Sequence, residues 1–371
     1  MIDLLKKLIS FNSTTPHNNG AIAFIANYLS SYGFDVIIKE FGSQKIANLY
    51  ANKGKGKNIC FAGHIDVVPP GPQDLWTNPP FVSVEKEGRI YGRGAVDMKG
   101  GLAAQIKSAV DFITNNPNHN NTISFLITSD EEGDAEYGSK SMLEYLYNNN
   151  YCIDFAIIAE PTCKNNLGDV IKIGSRGSAN FSITVSGTQG HVAYTDNKDN
   201  PAHILSKALN NLINYKFDDK DNDFPASTIQ ITSIDIGNNT TNLVPKKASA
   251  KFNIRFNNSY TSDALLSLVT NILKQYTSDF AIDMQCNSHP YCADRSSNYI
   301  VELKNVIKKI TNISPEIVSS GATSDARFFI NYCTVVEFGL KYHFAHMINE
   351  NVEIIDLQTL YRVYYKMLER L

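Results

Sequence analysis

The amino-terminal half of the chain alternates short apolar runs with a segment of helical spacing. Residues 58–63, 122–128 and 154–159 are mostly apolar, and the apolar side chains of 99–115 recur every three to four positions. Continuous apolar runs are typical of strands in a parallel sheet that is covered on both faces. The pattern predicts an α/β fold with a mixed, mostly parallel sheet covered by helices on both faces.

The middle of the chain follows a different pattern, in which the strands alternate polar and apolar residues. Such alternation is typical of strands with one solvated face. The predicted order is strand, helix, strand, strand, helix and strand, over residues 179–185, 201–215, 228–236, 251–256, 262–276 and 280–286. This order predicts a ferredoxin-like α+β domain. We therefore expect a domain of residues 1–176 and 290–371, interrupted by a second domain of residues 177–289.

Charge and composition argue against several classes of protein. The 34 Lys and Arg residues and 37 Asp and Glu residues give a net charge of −3, without the basic surface typical of nucleic-acid binding. No apolar run approaches the roughly 18–20 residues of a membrane span. Asp3, Lys6 and Lys7 interrupt the apolar stretch that a secretory signal needs. With six scattered cysteines and no CxxC pair, we expect reduced thiols and a cytoplasmic protein.

Side chains of the types that bind metals follow the extended segments. They are His64, Asp66, Asp97, Glu131, Glu132 and Glu160. In open α/β sheets the carboxyl ends of the strands border the ligand-binding crevice, so we expect these groups to lie together. Carboxylates at one edge repel one another unless a cation compensates their charge. Two ions that share a bridging carboxylate fit this set better than one, and the ligands suit zinc, cobalt or manganese.

The spacing within the set suggests separate roles. Asp66 lies two residues after His64, so its side chain is expected to accept the second ring N–H of a metal-bound imidazole. Glu131 and Glu132 are adjacent and cannot point the same way in extended chain. One of them is expected to bind metal while the other faces the substrate as a general base. Each motif alone is more often an ordinary polar turn, and only their combination supports a metal site.

Four motifs resemble the dinuclear zinc aminoacylase/carboxypeptidase family of amidohydrolases. They are GHIDVVPPG (63–71), GRGAVDMKGG (92–101), TSDEEG (128–133) and AEPT (159–162). Supporting segments are LWTNPPF (75–81), SRGS (175–178), GHVAY (190–194), SGATSDARF (319–328), EFGL (337–340) and HMINE (346–350). The resemblance covers nearly the whole chain. It implies a zinc-exopeptidase-like catalytic domain with an inserted dimerisation and lid domain.

The resemblance also implies a set of metal ligands. His64 and Glu160 would bind one zinc ion. Glu132 and His346 would bind the second, and Asp97 would bridge both. Cobalt or manganese is the alternative to zinc, since the same ligands suit all three.

Two further roles follow from the same resemblance. Glu131 would be the general base that deprotonates the shared water, and Asp66 would be the partner that holds His64. His343 lies three residues before His346 and is a rival ligand, although the motif spacing favours His346.

The inserted domain would contribute to catalysis and substrate binding. His191 would reach the active site of a partner subunit and hydrogen-bond the developing oxyanion, which requires a homodimer formed through this domain. The implied substrate contacts are Arg176, Ser178, Tyr194, Asn242, Arg255 and Thr323. A solvated loop histidine is the alternative for His191, and a surface arginine is the alternative for Arg255.

The implied reaction is hydrolysis of an N-acyl amino acid, with N-succinyl-LL-2,6-diaminopimelate as the expected substrate. Its products would be succinate and LL-2,6-diaminopimelate, a precursor of lysine and peptidoglycan. N-acetylornithine or a dipeptide is the alternative substrate, although the segment 321–325 favours the succinylated compound. A catalytically inactive scaffold is the alternative from another class, and the intact Glu131 argues against it.

Three positions depart from the motif pattern. Ser175 stands where an arginine usually precedes Arg176, which weakens the substrate assignment but leaves the metal chemistry intact. Thr195 replaces a proline, and Ile65 replaces a threonine. Neither of these two changes is expected to matter.

Overall fold

A computed structural model describes residues 1–319 and 323–371. Its helices are α1 (Ile2–Ile9), α2 (Ala21–Ser31), α3 (Lys99–Asn115), α4 (Ser139–Asn148), α5 (Pro201–Asn214), α6 (Ser262–Lys274), α7 (Asn298–Thr311), α8 (Ala326–Phe329) and α9 (Ile354–Leu368). Short 3-10 turns span Gln73–Leu75, Asn197–Asp199 and Tyr342–Phe344.

The strands begin with an antiparallel edge and continue through both parts of the chain. They are β1 (Asp35–Phe41), β2 (Ile46–Gly54), β3 (Asn58–His64), β4 (Val84–Lys86), β5 (Arg89–Tyr91), β6 (Thr122–Thr128), β7 (Phe155–Ile158), β8 (Val170–Lys172), β9 (Gly174–Ser175), β10 (Gly177–Ser186), β11 (Gly190–His191), β12 (Thr228–Asp235), β13 (Leu243–Val244), β14 (Lys247–Phe256), β15 (Phe280–Ser288), β16 (Tyr291–Cys292), β17 (Glu316–Val318), β18 (Thr334–Glu337) and β19 (Asn351–Glu353).

The described residues divide into two compact units. The larger unit comprises Met1–Ile173, Ala293–Val318 and Ser324–Leu371. The smaller unit comprises Gly174–Cys292 together with Ser319 and Thr323. Across both described segments, every helix is too short or too polar to cross a membrane.

A mixed sheet forms the centre of the larger unit, with the strand order β1-β2-β6-β3-β7-β18-β8-β17. The neighbouring strands β6, β3, β7 and β18 run parallel, so their carboxyl ends lie at the same edge. Every residue of β3 and β7 is buried, although successive side chains point to opposite faces. Both faces are therefore covered, which confirms the predicted mixed, mostly parallel sheet.

Helix α3 packs against β3 and α9, and its buried side chains include Leu102 and Ile106. Its first turn lies close to the chain that follows β7, because Gly101 has no side chain. A Cβ atom at Gly101 would lie 2.7 Å from the carbonyl oxygen of Ala159. This close approach sets the position of the residues just after β7.

The smaller unit is a four-stranded antiparallel sheet with the order β12-β14-β10-β15, and α5 and α6 pack against it. The strand and helix order is the predicted one, and the sheet order is that of a ferredoxin-like fold. Phe181 and Phe252 stack in its core with ring centroids 5.0 Å apart. The strand pair β11–β13 is an additional element that the sequence pattern did not indicate.

Candidate metal centre

Three parallel strands of the larger unit deliver ligand-type side chains to one edge of the sheet. His64 is the last residue of β3, and Glu160 follows the end of β7. Glu131 and Glu132 lie in the loop that follows β6. Parallel pairing places these strand ends side by side, so the sheet itself brings the four side chains together.

Asp97 reaches the same edge by a different route from the one expected. The strand that precedes it, β5, pairs with β4 and β19 in a separate three-stranded sheet. Asp97 lies in the loop that enters α3, and its backbone N–H donates to Glu350 Oε1 at 3.0 Å. The prediction that every ligand-type side chain ends a strand of the central sheet is therefore wrong for Asp97.

The carboxylate of Asp97 lies between two imidazoles. Its Oδ1 is 3.2 Å from His64 Nε2, and its Oδ2 is 3.2 Å from His346 Nε2. Glu160 Oε1 lies 3.6 Å from the same nitrogen of His64. Glu132 Oε1 lies 2.9 Å from His346 Nε2. One carboxylate thus faces two neighbouring sets of donor atoms, which is the arrangement expected of a bridging ligand.

Two overlapping sets of three side chains bring their donor atoms within 4.8 Å of one another. One set is His64, Glu131 and Glu160, and the other is His64, Asp97 and Glu132. Glu131 Oε2 lies 3.9 Å from His64 Nε2. Because Glu131 comes as close as a ligand does, its role as a general base stays a prediction.

Several donor atoms of the cluster have no hydrogen-bond partner in the described part of the chain, and a cation would satisfy them. His64 Nε2, Asp97 Oδ1 and Glu160 Oε1 are buried and have no hydrogen-bond partner among the residues that the structure describes. The 3.2 Å approach of His64 to Asp97 lacks the geometry of a hydrogen bond. Buried polar atoms without partners are costly unless something else satisfies them. Imidazole and carboxylate donors are suitable ligands for a divalent transition metal.

The electrostatics of the cluster also favour a cation. Burial raises the pKa of the Glu131 and Glu160 carboxyls well above their usual range. Burial alone would lower the pKa of His64, but the surrounding carboxylates, chiefly Asp97, outweigh it and raise that pKa well above 6.5. The neighbouring carboxylates of Asp97 and Glu132 raise the pKa of His346 to about 10. A divalent cation would supply the positive charge that protonated imidazole otherwise provides.

Asp66 holds the site differently from the prediction. His64 Nδ1 lies 2.8 Å from the backbone carbonyl oxygen of Asp66, whereas the carboxylate oxygen is 3.7 Å away. The carboxylate instead accepts the backbone N–H groups of Glu131 and Glu132 at 3.0–3.3 Å. Because β3 ends at His64, the side chain of Asp66 can turn toward the loop that follows β6. Burial raises the pKa of Asp66 to about 6.

The structure brings His346, not His343, to the carboxylates. His343 lies in the 3-10 turn Tyr342–Phe344, where it is exposed and its ring is 5.1 Å from that of Tyr342. His346 follows this turn, and its Nε2 contacts Asp97 and Glu132.

The remaining predicted residues lie in the smaller unit, and four of them lie around β10 and β14. Ser178 pairs with Arg255 across these strands, and Arg255 Nη1 donates to Thr323 Oγ1 at 3.2 Å. Arg176 Nη1 donates to the carbonyl oxygen of Ala226 at 2.6 Å. Burial and the nearby Arg255 lower the pKa of Arg176. Two neighbouring guanidinium groups of this kind are suited to binding an anion.

His191, Tyr194 and Asn242 lie around the strand pair β11–β13 and are exposed. The rings of His191 and Tyr194 are 5.3 Å apart, and the backbone carbonyl of Asn242 accepts the N–H of Val192. Within the segment 319–328, residues 320–322 lie outside the described residues. Two of these three residues belong to the segment 321–325, which favours the succinylated substrate.

Three charged residues near the cluster had no predicted role. Asp325 is buried, and its charge raises the pKa of Glu131 in addition to the effect of burial. Arg93 and Glu350 are also buried and form an ion pair at 2.7 Å. Arg93 and Glu350 belong to the motif segments 92–101 and 346–350, and this membership is the sequence signal that could have found them.

Comparison with known proteins agrees with the geometry. The sequence profile of peptidase family M20/M25/M40 matches residues 60–370. The chain belongs to this family. This membership confirms the resemblance to the amidohydrolases and the expectation of an enzyme that hydrolyses amide bonds.

Individual relatives are similar over almost their full length. A succinyl-diaminopimelate desuccinylase of Orientia tsutsugamushi (strain Boryong) is 51% identical over 99% of this chain and 95% of the relative. One of Rickettsia bellii (strain RML369-C) is 48% identical over 98% of this chain and 95% of the relative. A solved M20 family metallo-carboxypeptidase of Sulfolobus solfataricus superposes with a TM-score of 0.79 over 99% of this chain and 98% of its own. At 17% identity, that last likeness concerns the fold alone.

Proposed function

We propose that the chain hydrolyses N-succinyl-LL-2,6-diaminopimelate to succinate and LL-2,6-diaminopimelate at a dinuclear metal centre. The observation that carries the chemistry is the convergence of unpartnered buried donor atoms from His64, Asp97 and Glu160. The substrate is supported by relatives that bear the desuccinylase name at 46–51% identity. The reaction would supply a diamino acid for lysine and cell-wall synthesis in the cytoplasm.

Five side chains would hold the metal ions in this proposal. His64 and Glu160 would hold one, Glu132 and His346 the other, and Asp97 both. Zinc is the proposed ion, and the donor set also suits cobalt or manganese. When bound, such ions polarise the acyl carbonyl and lower the pKa of bound water from 15.7 towards about 7.

Glu131 would move the proton. Its carboxylate lies in the loop that follows β6, and desolvation raises its pKa, which suits a group that accepts and then returns a proton. It would take a proton from the attacking water as the new carbon–oxygen bond forms. It would then deliver this proton to the amide nitrogen as the carbon–nitrogen bond breaks, which releases a neutral amine.

Residues of the smaller unit would bind the substrate and complete the oxyanion site. The guanidinium groups of Arg176 and Arg255, with Ser178 and Thr323, would bind a substrate carboxylate. Tyr194 and Asn242 would provide further polar contacts.

His191 would donate a hydrogen bond to the oxyanion in the active site of a partner subunit, so the proposal includes a homodimer formed through this unit. The exposure of the His191 side chain is consistent with this role. Loss of one oxyanion donor typically costs about 10²–10³ in rate.

The first test is steady-state hydrolysis on zinc-loaded protein, after the bound zinc has been counted by elemental analysis. N-succinyl-LL-2,6-diaminopimelate, N-acetylornithine and a dipeptide are compared at matched concentrations. The proposal expects about two zinc ions per chain and a strong preference for the succinylated compound. Comparable rates on the other two substrates would reject the substrate, and near-zero zinc would reject the metal centre.

A further inference from the structure

The carboxylate of Glu350 accepts several backbone hydrogen bonds from the loop that carries Asp97. Its Oε2 accepts the N–H of Gly94 at 2.9 Å, and its Oε1 accepts the N–H groups of Val96 at 2.8 Å and Asp97 at 3.0 Å. Arg93 Nη1 donates to Oε2 at 2.7 Å. Both charged side chains are almost fully buried. Charge-assisted hydrogen bonds of this number fix the loop more firmly than neutral ones would.

The guanidinium of Arg93 reaches the loop that carries the other ligand. Its Nη2 donates to the carbonyl oxygen of His346 at 3.3 Å, and its Nη1 donates to that of Met347 at 3.4 Å. A further bond joins Nη2 to the carbonyl oxygen of Pro69. The guanidinium also lies over the ring of Trp76, 5.2 Å from its centroid. Trp76 is the single tryptophan of the chain.

We infer that Arg93 and Glu350 are positioning residues that set Asp97 and His346 at the spacing needed for the second metal ion. The inference rests on the proposed dinuclear centre and deepens it. Neither side chain is proposed to touch metal or substrate. Their action is to hold two ligand-bearing loops against each other through one buried ion pair.

The second ion needs this support more than the first. His64 and Glu160 are fixed by the ends of paired strands, whereas His346 lies in a loop and its side chain is 48% exposed. The backbone of His346 has a φ of 63°, in the left-handed region that residues other than glycine rarely adopt. The bond from Arg93 to the His346 carbonyl stabilises this unfavourable backbone.

The test is zinc binding by competition with a chromophoric chelator, on wild-type protein and on Glu350→Gln. Glutamine keeps the shape but turns its NH₂ group toward backbone N–H donors. We expect the dissociation constant of the second zinc ion to rise about 10–100-fold, as is typical when partners of metal ligands are removed. The first ion is expected to change much less. Zinc-dependent Trp76 fluorescence is expected to shift to the same higher concentration.

Glu353→Gln is the matched control. Glu353 lies in the same segment and pairs with Arg89 and Lys341. Its side-chain bonds among the described residues do not reach the backbone of residues 94–97 or 346–347, which Glu350 and Arg93 hold. Its zinc affinities are expected to equal those of the wild type. If Glu350→Gln fails to fold, Arg93→Lys replaces it, because lysine keeps the charge but cannot reach both carbonyl oxygens.

The outcomes separate this inference from the proposed function. Two zinc affinities within twofold of wild type in a folded Glu350→Gln or Arg93→Lys protein would overturn the inference, even if the melting temperature falls. A wild-type protein that binds two zinc ions but leaves the succinylated substrate intact would overturn only the proposed substrate. Weakening confined to the second ion supports the inference whatever the substrate is.

Discussion

The two ends of the carboxylate cluster are built in different ways. At one end the His64 side chain is only 1% exposed and terminates a strand whose residues are all buried. At the other end the His346 side chain is 48% exposed and belongs to a loop. Asp97 stands between them and faces both imidazoles.

The difference concerns what holds each ligand in place. Hydrogen bonds between strands and core packing fix the residues at strand ends, so the sheet itself sets the position of His64. The His346 end depends on specific side-chain bonds from Arg93 and Glu350 to loop backbone. Changes at the His64 end are therefore expected to destabilise the fold. Changes at the His346 end are expected to weaken metal binding without unfolding the protein.

Glu131→Gln is expected to have the largest effect on turnover, because it removes proton transfer while leaving every proposed ligand. We expect kcat to fall by about 10²–10⁴-fold and both zinc ions to remain. Steady-state rates with zinc analysis measure this. The control is Glu136→Gln, an exposed glutamate of the same loop. Loss of one zinc ion together with activity would instead make Glu131 a ligand.

Matched changes at the two histidines test the comparison itself. His64→Gln and His346→Gln are each expected to weaken zinc binding by more than about 100-fold, since they remove direct ligands rather than outer partners. His64→Gln is expected to lower the melting temperature of the metal-free protein more than His346→Gln, because the His64 side chain is almost fully buried whereas that of His346 is half exposed. His343→Gln should change neither quantity. Equal destabilisation by both variants would contradict the distinction.

Asp66→Asn is expected to lower turnover by roughly 10–100-fold, because the carboxylate holds the backbone N–H groups of Glu131 and Glu132. The bond from His64 to the residue-66 carbonyl should persist, so the first zinc ion should bind almost normally. Zinc titration beside the rate measurement checks both statements. Loss of the first ion would restore the original expectation that the side chain holds His64.

Zinc affinity is expected to rise with pH. Asp97 and Glu132 raise the pKa of His346 to about 10 in the metal-free protein, compared with 6.5 for a free imidazole. The bound proton therefore stabilises metal-free protein below pH 6.5, and this contribution is lost as the pH rises through 10. Zinc must displace the proton on His346, so zinc affinity should increase about tenfold per pH unit for each proton released. His346→Gln should flatten the slope measured by chelator competition.

Arg255→Met is expected to have the smallest effect. Loss of one charge-assisted hydrogen bond to a substrate carboxylate is worth about 1.5 kcal/mol, which is roughly tenfold in KM with little change in kcat. Lys251→Met, an exposed change on the same strand, is the control. An unchanged KM would return Arg255 to the role of a surface arginine.

Much of this architecture is predictable because it depends on local pattern. Helix α3 spans the predicted 99–115, since its apolar spacing is regular, and β3, β6 and β7 match their apolar runs. The pair β11–β13 is not predictable in this way, because a two-residue pairing leaves no periodic signal. The hydrogen bonds of the Asp66 carboxylate to the loop after β6 are not predictable either, because β3 ends at His64 and the alternation of a strand no longer applies at Asp66.

The sequence by itself determined which residue types stand after the buried strands and in what order the elements run, because strand burial imposes a continuous apolar pattern. It therefore also determined most of the proposed ligand set. Tertiary structure alone decided that β5 leaves the central sheet, that His346 rather than His343 meets Asp97, and that Arg93 and Glu350 join two ligand loops. These facts depend on contacts between residues some 250 positions apart, and no local pattern records such contacts.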